Sequence, residues 1–471
     1  MSSKQISIHI FRNDLRLSDN PAMSKSNDLG MVLPIFILDE KELKTMGASS
    51  KVWLYYSLKN LNNDIDNKIL FFKGDFFKIL SEIVKEINPI AITKSKEYSS
   101  FGKTIENELI NFSYKHKIDF YNINSSLLWE PNKILKSDNT NYKVFTPFYK
   151  NGCLLSDKPR KPIPKQNINF LKHSLKISSI HKLDLLPAHK WYKNLICNWE
   201  ISERGAIRNL DLFVNSYLKN YKDSRNYPSL DNTSRLSPYL HFGNISPNTV
   251  WYKAKEKLNF NDENLKTFLS ELGWREFSYN LLFHNPKLKK DNLQIKFNKF
   301  PWINDNQKLK AWKFGQTGYP IVDAGMRQLW QTGYMHNRVR MIVASFLVKN
   351  LLIDWRVGME WFNDCLCDAD LANNTASWQW TAGSGADAAP YFRIFNPILQ
   401  GKKFDPDGEY TKHYVPELKD FPAKFLFAPW EADDSVFEEA KIDYGVDYPK
   451  PIVSIEESRD IALKAYDQIK G

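Results

Sequence analysis

Short apolar runs alternate with longer amphipathic stretches through the first third of the chain. The runs are QISIHIF at 5–11, MVLPIFIL at 31–38, KILFFKG at 68–74, PIAITKS at 89–95 and IDFYNI at 118–123. Runs of this length and composition predict β-strands, and the intervening periodicity predicts helices over 50–67, 75–87 and 103–116. Strict alternation of the two predicts a parallel sheet covered on both faces, because parallel strands need long crossovers. In such a sheet the usual ligand position is the carboxyl edge of the strands. No GxGxxG follows the first run, so the ordinary dinucleotide fingerprint is missing.

The pattern changes twice beyond this point. Over 131–190 periodicity fades while Pro, Lys and Ser accumulate, as in SDKPRKPIPKQN, and this predicts a long linker on the surface. From 191 onward helical periodicity dominates, broken at NYPSLDNT, HNPKLKKDN, GQTGYP and FDPDGEY. The reading is an α/β domain over 1–130, a linker over 131–190, and a large all-helical domain over 191–471 without internal repeats.

Composition narrows the class. With 471 residues, 42% hydrophobic and 25% charged, the chain has the balance of a folded globular protein of more than one domain. It lacks the run of about 18 apolar residues that a membrane span needs, and its N-terminus enters a strand pattern without a signal peptide. Four scattered cysteines, with Cys365 and Cys367 too close for a zinc knuckle, predict a reducing, cytoplasmic setting and no metal site. The net charge of +11 suits a polyanionic partner, although much of the Lys reads as a solvated, compositionally biased surface.

Four stretches concentrate chemistry. The richest begins at Asn363: NDCLCDADLANNTASWQWTAGSGADAAPYFRIFNP gathers Asp368, Asp370, Asn373, Asn374, Trp378 and Trp380, then small residues that permit close backbone approach to a ligand. Any one of these is more simply a cap or a core residue; together they are not. Thr233 to Pro247 (TSRLSPYLHFGNISP) offers hydroxyls and a guanidinium ahead of a helix, suited to a phosphate or to plain capping. In FLSELGWREF, Glu271, Trp274 and Arg275 stand at i, i+3 and i+4 on one helical face, either for a stacked polar heterocycle or as an ordinary Glu–Arg pair. In YMHNRVRMI, Asn337 and Met341 are i and i+4, and Arg338 and Arg340 lie in an apolar run where they need anionic partners.

Together these stretches resemble the photolyase/cryptochrome family of flavoproteins, and within it the class I enzymes that repair cyclobutane pyrimidine dimers. The likeness runs from FRNDLRLSDN at 11–20 to FDPDGEY at 404–410, through TSRLSPYLHFG, ELGWREF, TGYPIVDAGMRQL, MHNRVRM and WQWTAGSGADAAPYFRIFNP in that order. It implies an α/β antenna domain and a helical domain holding FAD in a U-shaped conformation, in a monomer that acts on UV-damaged DNA. By resemblance Tyr221, Thr233, Ser234, Arg235, Leu236 and Ser237 hold the phosphate side of FAD. Asn337, Arg340, Asp368, Asp370 and Asn374 surround its rings, with Arg340 against Asp368 as a buried ion pair. Plant cryptochromes carry Asp at the Asn374 position, so Asn favours repair over signalling.

Glu271, Trp274, Asn337, Met341 and Trp380 match the set that contacts a cyclobutane dimer. Enzymes for the (6-4) photoproduct place His at the Asn337 and Met341 positions to move protons, and this chain has neither. Trp378, Trp355 and Trp302 match a relay that reduces the flavin from the surface; Arg225, Arg275, Arg338 and Arg393 match positions near the DNA backbone. A second chromophore, folate or deazaflavin, is implied less directly. In KEYSSFGK, Phe101 and Gly102 replace the Asn-Glu pair that folate-binding members carry. Two rivals stand beside this reading: a cryptochrome-like photoreceptor, whose long disordered tail is not seen here, and a (6-4) photolyase.

Overall fold

A computed structural model describes residues 5–172, 179–388, 390–391 and 393–470. The five apolar runs form β1 (Ile6–Ile10), β2 (Met31–Leu38), β3 (Leu70–Lys73), β4 (Ala91–Ser95) and β5 (Asp119–Ile123). They make one parallel sheet in the order β3-β2-β1-β4-β5, with Ile8 opposite both Leu33 and Ile92. The crossovers contain helices α1 (Pro21–Leu29), α2 (Ala48–Asp64), α3 (Phe76–Ile87) and α4 (Ser100–His116). Local chemistry sets their ends: the Asp75 carboxylate accepts from Lys78 N–H at 2.8 Å, and Ser99 Oγ accepts from Gly102 N–H at 3.0 Å. One face of the sheet buries Ile8, Ile10, Leu33, Ile35, Leu80, Ile92 and Leu109 in a single apolar core.

The carboxyl edge of this sheet is occupied by the chain itself. Arg12, just past β1, meets Glu42 at 2.7 Å and Glu97 at 3.1 Å, and the fully buried Lys94 reaches Glu97 at 3.1 Å. Burial opposes ionisation of Glu97, yet the Arg12 and Lys94 charges hold its carboxyl down at about 2. In the same stretch Ser99 caps α4 and Phe101 packs on the sheet core, so KEYSSFGK is taken up by the fold.

Beyond the sheet the described residues form helices and irregular connections, with isolated bridges at Val32–Phe170 and Tyr444–Tyr448. The helices include α5 (Ser237–Phe242), α6 (Glu263–His284), α7 (Pro320–Thr332), α8 (Asn337–Ser345), α9 (Trp355–Cys365), α10 (Leu371–Ala382) and α11 (Ile455–Asp467). Two compact units result. The first comprises Met1–Lys219, Ser234–Pro286 and Cys367–Asp370; the second comprises Asn220–Thr233, Lys287–Leu366 and Leu371–Gly471. Among the described residues no helix is long and apolar enough to cross a membrane.

The surface linker expected over 131–190 needs correction in its first half. Ile134, Phe145, Phe148, Tyr149 and Cys153 are buried, and Phe148–Cys153 forms a π-turn. Farther on, Leu171 N–H bonds to the Val32 carbonyl at 2.9 Å, alongside the sheet. Phe145, Phe148, Tyr149 and Cys153 keep the i, i+3, i+4, i+8 spacing of one helical face, but the helical stretch is too short, and too embedded in Pro- and Lys-rich sequence, for the period to stand out. Residues 173–178 of the same stretch lie outside the described residues.

Within the first unit, the FRNDLRLSDN motif joins the sheet to the turn after α5. Arg16, 1% exposed, donates to the carbonyls of Asp19, Ser125 and Gly243 at 2.7–3.0 Å. Gly243 has φ +71° and sits so close that a Cβ would lie 2.1 Å from the Asn13 carbonyl oxygen, which demands glycine. Removing the guanidinium strands buried carbonyls, each worth about 1–3 kcal/mol. Arg16→Ala should therefore destabilise the protein by more than about 3 kcal/mol in urea denaturation.

Candidate functional site

The candidate residues fall into two clusters, one in each unit. In the first unit α6 starts at Asp262, whose carboxylate accepts from Asn264 and Leu265 N–H at 2.7 and 3.2 Å. This fixes the face bearing Glu271, Trp274 and Arg275. Glu271 and Trp274 are half-buried. Trp274 stacks on Phe145 with ring centroids 3.7 Å apart.

Arg275, expected beside DNA, is instead buried. Its guanidinium meets Glu276 at 3.1 Å and lies 5.0 Å from the Tyr279 ring. The cause is a carboxylate with nowhere else to go. Glu276 is 2% exposed and accepts Leu128 and Trp129 N–H at 2.9 and 3.1 Å. Burial pushes the Glu276 carboxyl up to about 7 against the opposing pull of Arg275 and these two donors.

One turn along α6 the Tyr279 hydroxyl donates to Asp370 at 2.5 Å, and His241 Nδ1 stands 3.3 Å from the same carboxylate. Burial alone would raise Asp370, but His241, the Arg275 charge and the Tyr279 hydroxyl hold it well below the usual carboxylate range. Asp370 is thus a fixed anion. Its partners His241 and Tyr279 escaped the sequence reading, although Tyr279 follows Arg275 by four residues on one face. Asp368 is also buried.

Ser234, Arg235, Leu236 and Ser237 lead into α5. Arg235 has φ +49°, a strained left-handed conformation for a long side chain, and its guanidinium lies 4.3 Å from the Trp199 ring. Leu236 is buried, Thr233, Ser234 and Arg235 are half-buried, and Ser237 is exposed, so hydroxyls and a guanidinium remain within reach of an anion.

The second cluster is built on α8. His336, itself held through its N–H by Gln328, accepts Arg338 N–H on Nδ1 at 3.2 Å and so caps the helix. Asn337 is exposed and Met341 half-buried on one face. Arg338 extends between Asn226 Oδ1 at 2.6 Å, the Met341 sulfur at 3.9 Å and the Phe404 ring at 4.3 Å. Arg340 donates to the Met335 carbonyl at 2.8 Å. Arg225 lies 5.3 Å from the Tyr221 ring, and Arg393 is exposed.

These cations feel one another. Burial, then the charges of Arg225 and Arg393, lowers Arg338. Burial, then Arg338, Arg340 and Arg225, pushes His336 down to about 4, so the capping imidazole stays neutral. Deeper in the unit Lys349, 2% exposed, donates to the Arg393 carbonyl at 3.0 Å. Positive potential is concentrated here.

Helix α10 carries Asn374, Trp378 and Trp380. The Asn374 amide N–H donates to the Met359 carbonyl at 3.1 Å, which fixes the orientation of the amide. Gln379, fully buried, fixes the helix by donating to the Leu288 and Asp291 carbonyls at 2.9 Å and accepting Leu293 N–H at 3.1 Å. Among the small residues that follow, Gly385 packs on the chain's own turn: a Cβ there would lie 3.0 Å from the Gln379 backbone.

Trp380 is half-buried. Trp378 and Trp355 are buried at 2% and 0%, while Trp302 is half-buried beside Phe300, 4.4 Å between centroids. Among the described residues the three form no ring pair with one another. Trp378 touches Phe362 at 5.0 Å and Trp312 at 6.2 Å instead, and a Cβ on Gly358 would collide with its ring. No group of three or more His, Cys, Asp or Glu among the described residues is placed to hold a metal.

Known proteins share this chain along nearly its whole length. The family profile described as DNA photolyase matches residues 7–166, and the FAD binding domain of DNA photolyase matches residues 268–468. A deoxyribodipyrimidine photo-lyase of Agrobacterium fabrum is 41% identical over 98% of this chain and 97% of its own. Cryptochrome-2 of Arabidopsis thaliana is 33% identical over 98% of this chain and 78% of its own. The crystal structure of a class III photolyase from Agrobacterium tumefaciens superposes with a TM-score of 0.95 at 40% identity, covering 100% of this chain and 98% of that one. That structure is titled class III, where the motifs suggested class I. The chain belongs to the photolyase/cryptochrome family of FAD-binding proteins.

The raised Glu276 carboxyl has a thermodynamic consequence. The folded state holds this proton more tightly than the unfolded chain, so its contribution favours folding at low pH and fades as pH climbs from about 4.5 to about 7. Glu276→Gln should flatten urea-denaturation stability across that window, removing a slope on the order of 3 kcal/mol. An unchanged slope would show that another group titrates there.

Proposed function

We propose that this member of the family is a light-driven deoxyribodipyrimidine photo-lyase, which splits cyclobutane pyrimidine dimers in UV-damaged DNA. The observation that carries the reading is α8. It presents Asn337 and Met341, with no imidazole at either position, beside the mutually repelling Arg225, Arg338 and Arg393. A (6-4) enzyme would need proton donors there. The adjacent His336 is buried, neutral and engaged as a helix cap. Repair is also favoured over signalling by the relatives, since the photo-lyase of Agrobacterium fabrum is 41% identical and cryptochrome-2 33%.

The residues suit FAD. The hydroxyls of Thr233, Ser234 and Ser237 with the Arg235 guanidinium match a diphosphate, and Tyr221 and Leu236 complete that side. Asn337, Arg340, Asp368, Asp370 and Asn374 serve the rings; with its N–H committed to Met359, the Asn374 amide offers its oxygen to a donor such as the reduced flavin N–H. When bound, reduced and photoexcited FAD supplies the electron that opens the dimer and afterwards recovers it. Glu271 hydrogen-bonds a base carbonyl of the dimer and stabilises the charge it gains. Trp274 and Trp380 stack on the extruded bases, while Asn337 and Met341 line an apolar, adaptable wall.

A dimer stacks and pairs poorly, so extruding it costs less than extruding normal bases. Arg225, Arg338 and Arg393 hold the backbone on either side of it. Trp378, Trp355 and Trp302 form the path by which an electron enters from the surface; the half-buried Trp302 supports its role as the outer end. A second chromophore of the folate or deazaflavin class would extend the harvested light. The setting is the cytoplasm, with the DNA.

Illuminating the reduced protein with oligonucleotides carrying each lesion tests the reading, which predicts repair of the cyclobutane dimer and not of the (6-4) photoproduct. Glu271→Ala should lower repair per photon at unchanged FAD content, and unchanged yield would refute its role. Trp302→Phe should block photoreduction of the oxidised flavin yet spare repair after chemical reduction. DNA affinity should fall steeply as salt rises, because each phosphate-bound Arg releases a counterion.

A further inference from the structure

The element behind Trp274 comes from the segment that reads as a linker. Phe145 lies flat on the indole, centroids 3.7 Å apart and planes within 9°. Tyr149 continues the pile 5.6 Å from Phe145 at an interplanar angle of 8°. Phe277 closes the edges of both inner rings, at 5.9 Å from Trp274 and 6.0 Å from Phe145. Gly273 makes the approach feasible, because a Cβ there would lie 2.5 Å from the Tyr149 ring.

Single near-parallel pairs occur elsewhere, Trp330–Trp361 at 4° and Tyr391–Tyr466 at 10°. Among the described residues neither runs on into a second near-parallel pair, as Trp274–Phe145–Tyr149 does. Two successive near-parallel pairs that end on a half-buried ring form a stack with one open end. Phe145 and Tyr149 are 9% and 8% exposed, whereas Trp274 keeps part of its surface accessible. A ring held in this way has already lost its rotamer freedom, so a planar guest that extends the stack does not have to immobilise it. The Asn280 side chain, bonded to the Tyr142 carbonyl at 3.3 Å, helps hold the segment against α6.

We propose that Phe145 is a positioning residue for lesion recognition: it fixes the plane of the Trp274 indole on which the extruded dimer stacks. The proposal rests on the reading of Trp274 as a lesion contact. Discrimination between damaged and undamaged DNA then draws on the 145–153 segment as well as on α6. Affinity for undamaged DNA, which comes from phosphate contacts, does not.

The test measures dissociation constants of FAD-loaded protein for one oligonucleotide with and without a cyclobutane dimer. Phe145→Ala should weaken dimer binding about three- to tenfold, the worth of one aromatic pair, and leave undamaged binding within about twofold. Phe145→Tyr, which keeps the ring, should restore dimer binding. Phe145→Leu, which keeps the volume without the ring, should behave like Phe145→Ala and serves if that variant folds poorly. In a Trp274→Ala background Phe145→Ala should have no further effect on dimer affinity, whereas a general packing role would still show one. If Trp274→Ala itself leaves dimer affinity unchanged, the lesion-contact reading falls and this proposal with it. If Trp274→Ala weakens binding but Phe145→Ala does not, or if Phe145→Ala weakens damaged and undamaged binding equally, the positioning role alone is overturned.

Discussion

Arg16 holds a full positive charge in the interior, with no carboxylate oxygen within ion-pair distance among the described residues. Burial lowers its proton affinity, and the charges of Asp19, Asp14 and Glu203 oppose that at longer range. What holds it is geometry: a planar fork of donors reaches three backbone carbonyls from segments more than two hundred residues apart. Lysine, a point charge on a flexible stem, could not satisfy three carbonyls in different directions. Around this knot Leu15 N–H bonds to the Phe242 carbonyl, and the Trp53 indole donates to Asn244. The turn after α5 is therefore registered on the sheet, and the hydroxyls leading into α5 inherit that register.

Charge is distributed differently in the two units. In the first, buried carboxylates meet cations and donors directly: Glu97 meets Arg12 and Lys94, and Asp370 meets His241 and the Tyr279 hydroxyl with Arg275 nearby. In the second, burial and then the charges of Arg225 and Arg393 lower Arg338, and Lys349 is pushed down to about 8 by burial and then by Arg393. Such a cluster has a standing electrostatic cost that a polyanion relieves on binding. An excess of +11 spread over a whole surface would not by itself distinguish these cases; its concentration does.

The sheet was readable because its signal is local. Apolar runs of strand length alternate with helical periods, and all five strands lie within a residue or two of the runs. Helices α6 and α8 were readable for the same reason, since i, i+4 spacing puts Asn337 and Met341 on one face wherever the helix sits. Asp370 could be singled out by composition, but its partners His241 and Tyr279 stand 129 and 91 residues away, and only tertiary folding joins them. Arg275 misled for a different reason. Adjacent helical residues do not normally face each other, yet a long guanidinium can curl back to a neighbouring carboxylate that is denied solvent. Phe145 and Tyr149 also stand at i, i+4, but over so short a helical stretch that the period could not be told from chance.

The π-turn at Phe148–Cys153 deserves to be considered as a matter of chain length. A π-turn is an α-helical turn carrying one surplus residue, and losing that residue would rotate everything before it by about 100° about the helix axis. Such a rotation would swing Phe145 off the indole while leaving composition and hydropathy almost unchanged. Loops usually absorb insertions and deletions freely; this one cannot, and its Pro- and Lys-rich flanks conceal a segment whose residue count is part of its structure.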